Sequence, residues 1–260
     1  MNEFQALILG ILQGLTEFLP VSSSGHLEIG HALLGDTSTN NLLFAVVVHV
    51  ATVLSTIVVF RKDILELLKD LFQFKWNEST IYISKLVFSA LPVLVLGLFF
   101  KDEIEQLFVG NLVLVGSMLL LTALLLGLTH FVKKTDGEIT FFKAFLIGIA
   151  QSIAVIPGIS RSGATIATGL LLQTKKNEIA RFSFLMVLIP IIGAAFLDII
   201  SGEVTSDTTI GVMPLTFGFI AAFVSGLLAC SWMIKIVKRG KLIYFAIYCL
   251  VIGLIAIFAA

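Results

Sequence analysis

Charge is scarce in this sequence. Of 260 residues, 13% are Asp, Glu, Lys or Arg, 58% are hydrophobic, and mean hydropathy is +1.05. Soluble domains carry about 25% charged residues. A water-facing surface drawn from this composition would expose apolar patches large enough to drive association. A soluble monomeric domain is therefore excluded, and a membrane class comes first. Cysteine is sparse as well. Cys230 and Cys249 each lie in or beside an apolar run, which excludes a disulfide framework and a metal-ligand spacing. The formal net charge is zero, so bulk charge points to no partner class, and no nucleic acid is expected as a partner. Met1–Gln5 lacks a basic stretch and no small-residue cleavage site follows, so no removable signal peptide is expected.

What the chain does have is length of apolar sequence. Leu42–Phe60 contains one ionisable side chain, His49, and Leu112–Val132 is interrupted only by His130. Phe182–Leu197 and Leu242–Ala260 carry no charge. About 20 apolar residues cross a bilayer as a helix. Six spans are expected, at roughly 42–60, 83–100, 111–132, 179–198, 212–231 and 242–259. Segments 4–35 and 141–172 differ: each is apolar at its ends and broken in the middle by Pro, Gly and Ser. Each suits two short helices, a re-entrant hairpin, because irregular backbone at membrane depth must be buried in protein or line a cavity. The loop 61–82, with Trp76 and alternating charges, reads as an interfacial amphipathic stretch.

Fifteen of the seventeen Lys and Arg residues lie in or beside 61–82, 133–143, 173–181 and 232–241. Lys101 sits in an otherwise acidic loop, and the loop 199–211 carries Glu203 and Asp207 without a base. The positive-inside rule makes the first set cytoplasmic and the second exoplasmic. Both termini then lie outside, and the two hairpins enter from opposite faces. The halves also match in sequence. Gly10-Ile-Leu-Gln13 resembles Gly148-Ile-Ala-Gln151, and Pro20-Val-Ser-Ser-Ser-Gly25 resembles Pro157-Gly-Ile-Ser-Arg-Ser-Gly163, at an offset of 137 or 138 residues. The expected fold is an all-α integral membrane protein with six transmembrane helices, two opposed re-entrant helical hairpins and an inverted-topology internal repeat. It forms one membrane domain, 1–260, with repeats at about 1–132 and 141–260. Such repeats place a site near the midplane, where discontinuous helices meet.

The residues of that site are polar in an apolar setting. Gln13 and Glu17 are four apart and share a helix face. An ionisable residue inside a span is costly, and it marks function with a partner to be found. Ser22, Ser23 and Ser24 supply hydroxyls and a turn, and His26 stands close by as an acid, a base or a second nucleophile. In the second segment Gly158, Ser160, Arg161, Ser162 and Gly163 open an apolar helix. The free N–H groups of a helix start and a guanidinium are what a phosphate needs. Glu17 and a substrate anion are the obvious partners of Arg161. Thr165 suits either a phosphate or the turn itself. Gln151 matches Gln13 and is open between cavity lining and packing. For His49 a helix–helix hydrogen bond is expected, with site lining the lesser reading; His31 and His130 fall at span edges.

At these residues the chain resembles the undecaprenyl-diphosphate phosphatase family of the bacitracin-resistance type. One family motif, (Glu/Gln)-x-x-x-Glu followed by Pro-x-Ser-Ser-(Ser/Thr)-Gly-His, is Gln13…Glu17 and Pro20–His26. The other, Pro-Gly-x-Ser-Arg-Ser-x-x-Thr, is Pro157–Thr165. The resemblance implies removal of the terminal phosphate from undecaprenyl diphosphate, recycling the lipid carrier for cell-wall polymers in the bacterial cytoplasmic (inner) membrane. It implies a divalent cation, Mg²⁺ or Ca²⁺. Residue by residue, it implies Ser23 as nucleophile, Glu17 as the carboxylate for base or metal work, Arg161 as phosphate clamp, and a part for His26. The phosphate-binding set expected around them is Gln13, Ser22, Ser24, Gly25, Gly158, Ser160, Arg161, Ser162 and Thr165. Gln13 stands where many members have Glu, which leaves Glu17 as the sole carboxylate of the motif. The expected partners are a polyprenyl diphosphate and membrane lipid, with homodimerisation left open. A flippase or transporter is the rival class, since inverted repeats with broken helices are common in secondary transporters. An intramembrane serine protease fits less well, having no need of an arginine clamp.

The charge map makes a direct prediction. A cysteine at Asp207 should react with an impermeant thiol reagent added outside intact cells. Labelling that requires permeabilisation would reverse the assigned orientation.

Overall fold

The structure, a computed structural model, describes residues 1–34, 42–100, 103–104, 106–108, 111–193 and 210–260. Lys101, Asp198, Glu203 and Asp207, and with them the end of the fourth expected span, lie outside the described residues. Eleven longer helices carry the described architecture: α1 (Glu3–Phe18), α2 (Ser23–Leu33), α3 (Leu42–Val59), α4 (Arg61–Leu71), α5 (Glu78–Phe99), α6 (Leu112–Leu128), α7 (Phe141–Ile153), α8 (Arg161–Leu171), α9 (Lys176–Met186), α10 (Val212–Arg239) and α11 (Ile243–Phe258). The only bridge among the described residues is an isolated one, between Gly137 and Thr174.

Local chemistry sets the boundaries. Asn2 and Gln5 form a reciprocal capping box at the start of α1, which satisfies two otherwise orphaned donors. Asn77 caps α5 through Thr80 N and starts that helix five residues before the apolar run does. Gly240, at φ 67, closes α10 in the left-handed conformation that glycine adopts without penalty. α10 therefore runs past its apolar portion and carries Lys235, Lys238 and Arg239 on its last turns. α9 stops at Met186 and helix resumes over 188–193. Pro190 has no N–H to return to the Met186 carbonyl, so the ladder is interrupted there.

α5, α10 and the stretch Leu112–Phe131 are long and apolar enough to cross a membrane, and α7 and α11 are shorter apolar helices. α3 and α4 together pass the same test but meet at a 76° bend. The charge pattern explains the bend: α3 carries one ionisable group, whereas α4 is amphipathic and buries only Leu67. Asp63 of α4 pairs with Arg181 of α9 at 2.7 Å, and Arg181 also lies 5.0 Å from the Tyr82 ring centre.

The helices pack in matching sets. α1 lies on α10 and α7 lies on α5; α3 lies on α10 and α9 lies on α5; α6 lies on α11. Small residues let the backbones approach, as lipid-embedded helices require. Gly10 faces the Gly218 carbonyl and Gly148 faces the Ser89 carbonyl. On the α6–α11 crossing the relation is reciprocal. A Cβ on Gly116 would sit 2.6 Å from the Gly253 oxygen, and one on Gly253 would sit 2.8 Å from the Gly116 oxygen.

Gly116→Val should cost about 1–3 kcal/mol, because backbone rather than a yielding side chain fills the space. Gly127→Ala on the same helix, where a Cβ meets nothing within 4 Å, should be neutral or stabilising by up to about 1 kcal/mol. Thermal unfolding of the two variants in detergent checks the contrast.

Candidate active site

α1 ends because Leu19, which precedes Pro20, is driven into extended backbone, φ −70 and ψ 143. Its last turns present Gln13 and Glu17 together, and Gln13 Nε2 donates to Glu17 Oε2 at 3.0 Å. Ser22 then turns the chain at φ 70, ψ 98, a conformation that strains any residue with a Cβ. Its Oγ accepts from Gly25 N and caps α2. That makes Ser23 the first residue of α2, and its Oγ donates to Glu17 Oε2 at 2.6 Å.

The second elbow repeats this construction. Gly158 turns the chain at φ 96, and Ser160 Oγ accepts from Gly163 N at 3.0 Å to cap α8. Arg161 is thereby the first residue of α8, the place Ser23 holds on α2. Its terminal guanidinium nitrogen donates to Glu17 Oε1 at 3.0 Å. Ser22 and Ser24 share a hydroxyl–hydroxyl bond of 3.3 Å, and Ser160 and Ser162 share another of 3.3 Å. The elbows touch reciprocally. A Cβ on Gly25 would lie 3.2 Å from Gly158 Cα, and one on Gly163 would lie 3.3 Å from Pro20 Cβ. Thr122 of α6 braces the second elbow, donating to the Gly158 carbonyl and accepting from Ser160 N, each at 3.1 Å.

Glu17 is the hub. Its side chain is 8% exposed, and it accepts from Gln13, Ser23 and Arg161. Bonds to an ionised acceptor are the strong ones, and a buried carboxylate without them carries a desolvation cost of several kcal/mol. The site residues named from sequence thus divide. Gln13, Ser23 and Arg161 converge on Glu17. Ser22 and Ser160 are caps, while Ser24 and Ser162 lean on them, Ser162 also bonding the Leu19 carbonyl. Thr165 bonds the Arg161 carbonyl within α8 and the Ser183 hydroxyl of α9.

His26 is turned elsewhere. Its Nδ1 lies 2.8 Å from the Ser22 carbonyl, which only accepts, so Nδ1 carries the proton. Nε2 of the neutral ring then accepts from the Tyr248 hydroxyl at 2.8 Å, with the rings stacked at an interplanar angle of 11°. His49 makes its bond within its own helix, Nδ1 to the Ala45 carbonyl, and brings Nε2 to 3.8 Å from Glu17 Oε2. It borders the site, which was the lesser of the two readings of this residue. Thr122, Ser183 and Tyr248 escaped sequence reasoning. Each is an isolated hydroxyl in an apolar setting, Tyr248 sharing its run only with Tyr244, and no local pattern marks it.

No group of three or more His, Cys, Asp or Glu among the described residues is arranged to hold a metal ion by itself. A smaller oxygen set exists. Gln13 Oε1 is a buried acceptor with no hydrogen-bond partner among the described residues, next to the Glu17 carboxylate. Hard oxygen donors of this kind, one carboxylate plus substrate phosphates, suit Mg²⁺ or Ca²⁺.

A buried carboxylate that takes a serine hydroxyl from one broken helix pair and a guanidinium from the other defines a class. This is a multi-helix membrane protein in which two broken helix pairs meet on one buried carboxylate. The bacitracin resistance protein BacA family matches residues 6–255, and the chain belongs to that family. It is 55% identical to a protein named undecaprenyl-diphosphatase from Christiangramia forsetii, over 100% of this chain and 99% of the relative. A protein of the same name from Bacteroides fragilis is 55% identical over 99% of this chain and 98% of its own. One from Carboxydothermus hydrogenoformans is 40% identical over 97% and 95%.

Arg161→Met should destabilise the protein by about 3 kcal/mol, the low end for breaking a buried pair, since the Arg161 side chain is 27% exposed. Glu17→Gln combined with Arg161→Met should recover most of that loss, because no charge is then left unpaired. Thermal unfolding of the two single variants and the double variant reads the coupling.

Proposed function

We propose that this chain hydrolyses undecaprenyl diphosphate to undecaprenyl phosphate and inorganic phosphate, returning the lipid carrier to cell-wall synthesis. The observation that carries the reading is the sharing of Glu17 between Ser23 and Arg161. Phosphoryl transfer depends on positioning and charge neutralisation, and both are present on one carboxylate. Ser23 Oγ passes its proton to Glu17 Oε2 and attacks the terminal phosphorus. The bond from that phosphorus to the bridging oxygen breaks, Glu17 gives its proton to the departing undecaprenyl phosphate, and the carboxylate is free again. Glu17 then activates a water that releases phosphate from Ser23 and restores the serine proton. Arg161 trades Glu17 Oε1 for the phosphoryl oxygens as substrate enters. His26 acts through the first elbow: its bond to the Ser22 carbonyl fixes the residue that positions Ser23. Ser22, Ser24, Gly25, Gly158, Ser160, Ser162 and Thr165 shape the two elbows that receive the phosphates. Glu17 and Gln13 Oε1 would hold a divalent cation together with the phosphate oxygens, where it supplies further charge neutralisation.

The topology belongs to the same reading. The elbows α1–α2 and α7–α8 are re-entrant hairpins of opposite orientation, in a six-span, single-domain inverted repeat with halves at about 1–132 and 141–260. The recurring helix pairings and the matched caps at Ser22 and Ser160 support it. The distribution of Lys and Arg supports placing both termini and the chemistry on the exoplasmic side of the bacterial cytoplasmic membrane. A lipid substrate fits this setting, since the cavity beside Glu17 and Arg161 is also lined by Phe18, Val53, Phe184, Leu188 and Ile191.

The test is phosphate release from undecaprenyl diphosphate by purified protein in detergent. Ser23→Ala, Glu17→Ala and Arg161→Ala should each lower kcat/KM by about a thousandfold or more, the scale expected when a nucleophile or charge clamp is removed. EDTA should suppress the wild-type rate, and Mg²⁺ or Ca²⁺ should restore it. Release that survives all three substitutions would sink the site assignment. No release, together with lipid movement in liposomes, would turn the reading to a flippase.

A further inference from the structure

Gln151 is 1% exposed, and both its amide nitrogen and its amide oxygen are buried with no hydrogen-bond partner among the described residues. Native interiors rarely leave one such atom unsatisfied, because a buried polar atom without a partner loses its hydration with nothing in return. The inverted sequence match explains how the orphan arises. Gln151 is the counterpart of Gln13, whose amide nitrogen is satisfied by Glu17 four residues on. Four residues beyond Gln151 stands Val155, which offers no acceptor.

Gln151 lines the cavity that Glu17 and Arg161 also line. The hydroxyls around that cavity have already committed their protons. Thr52 donates to the His49 carbonyl, Thr56 to the Thr52 carbonyl and Ser162 to the Leu19 carbonyl. Thr165 and Ser183 bond each other at 2.6 Å. Among these groups, Gln151 Nε2 is the one with both N–H bonds unspent. A diphosphate brings two sets of phosphate oxygens, and Arg161 and Ser23 sit together on one carboxylate, placed for a single phosphoryl group.

Building on the hydrolase reading above, we infer that Gln151 forms a second phosphate subsite, holding the phosphate that stays on the lipid while Arg161 holds the one transferred. The amide donates to that phosphate, which makes Gln151 a residue that selects diphosphates over monophosphates.

Gln151→Leu, close in size and free of polar atoms, separates this role from packing. In the purified full chain the variant should keep or raise the unliganded Tm, since it removes two unsatisfied buried atoms. Its KM for undecaprenyl diphosphate should rise about tenfold, the scale of one lost hydrogen bond to a charged acceptor, with kcat changed much less. Thermal shift with inorganic probes, at fixed free Mg²⁺, gives a second readout. Pyrophosphate should stabilise the wild type more than inorganic phosphate does, and the variant should lose that difference. Wild-type KM with the pyrophosphate preference intact would overturn the assignment, as would a lowered Tm with both unchanged. If Gln151→Leu does not fold, Gln151→Ala carries the same comparison. Wild-type protein that releases no phosphate would remove the hydrolase reading. A pyrophosphate preference lost with Gln151 would still stand as a diphosphate subsite.

Discussion

A carboxylate held at 8% exposure inside an apolar bundle must be met by a counter-charge and by hydrogen-bond donors, and Glu17 finds them both nearby and far along the chain. Its guanidinium partner lies 144 residues away in sequence, and its hydroxyl and amide partners lie on its own elbow. Meeting that demand draws the two broken helix pairs together. It requires Gly25 and Gly158 where the elbows touch, and Thr122 to hold the second elbow from outside. The positively turned backbone at Ser22 fits the same need, because it aims Ser23 back at Glu17 rather than along α2. The cost of the buried charge is thus converted into tertiary structure.

The same arrangement governs chemistry. A serine hydroxyl 2.6 Å from a carboxylate oxygen is oriented for proton transfer, and a guanidinium on the other oxygen is placed to exchange one anion for another. In the proposed reaction substrate competes for Arg161 with the carboxylate that serves as base, so that freeing Glu17 and binding phosphate are one event. In the same reading Glu17 and the unspent Gln13 Oε1 would hold a divalent cation.

Much of this was legible because it is encoded locally. The four-residue spacing of Gln13 and Glu17 and the Pro/Ser/Gly interruptions each act within one turn of backbone, so sequence reads them directly. Arg161 was legible for another reason: a base deep in an apolar segment must have an anion. Span ends were less so. The Asn77 cap and the Gly240 stop override hydropathy at α5 and α10, and Pro190 divides what hydropathy alone joins. Tyr248 on His26 and Thr122 on Gly158 were beyond sequence reasoning, because each partner comes from a distant helix and neither position has a periodic signal. His49 shows the same limit, since its own-helix bond and its approach to Glu17 depend on how α3 lies against α1.

Ser23 and Arg161 occupy the same position on matched elbows, and that equivalence constrains how such a site arises. Two identical subunits packed antiparallel would have to place the same side chain in both elbows. A pair of serines would leave the central carboxylate without a cation, and a pair of arginines would leave it without a hydroxyl to deprotonate. Joining both halves in one polypeptide lifts that restriction. Each elbow then accumulates its own substitutions, and in the proposed reaction one side attacks while the other holds.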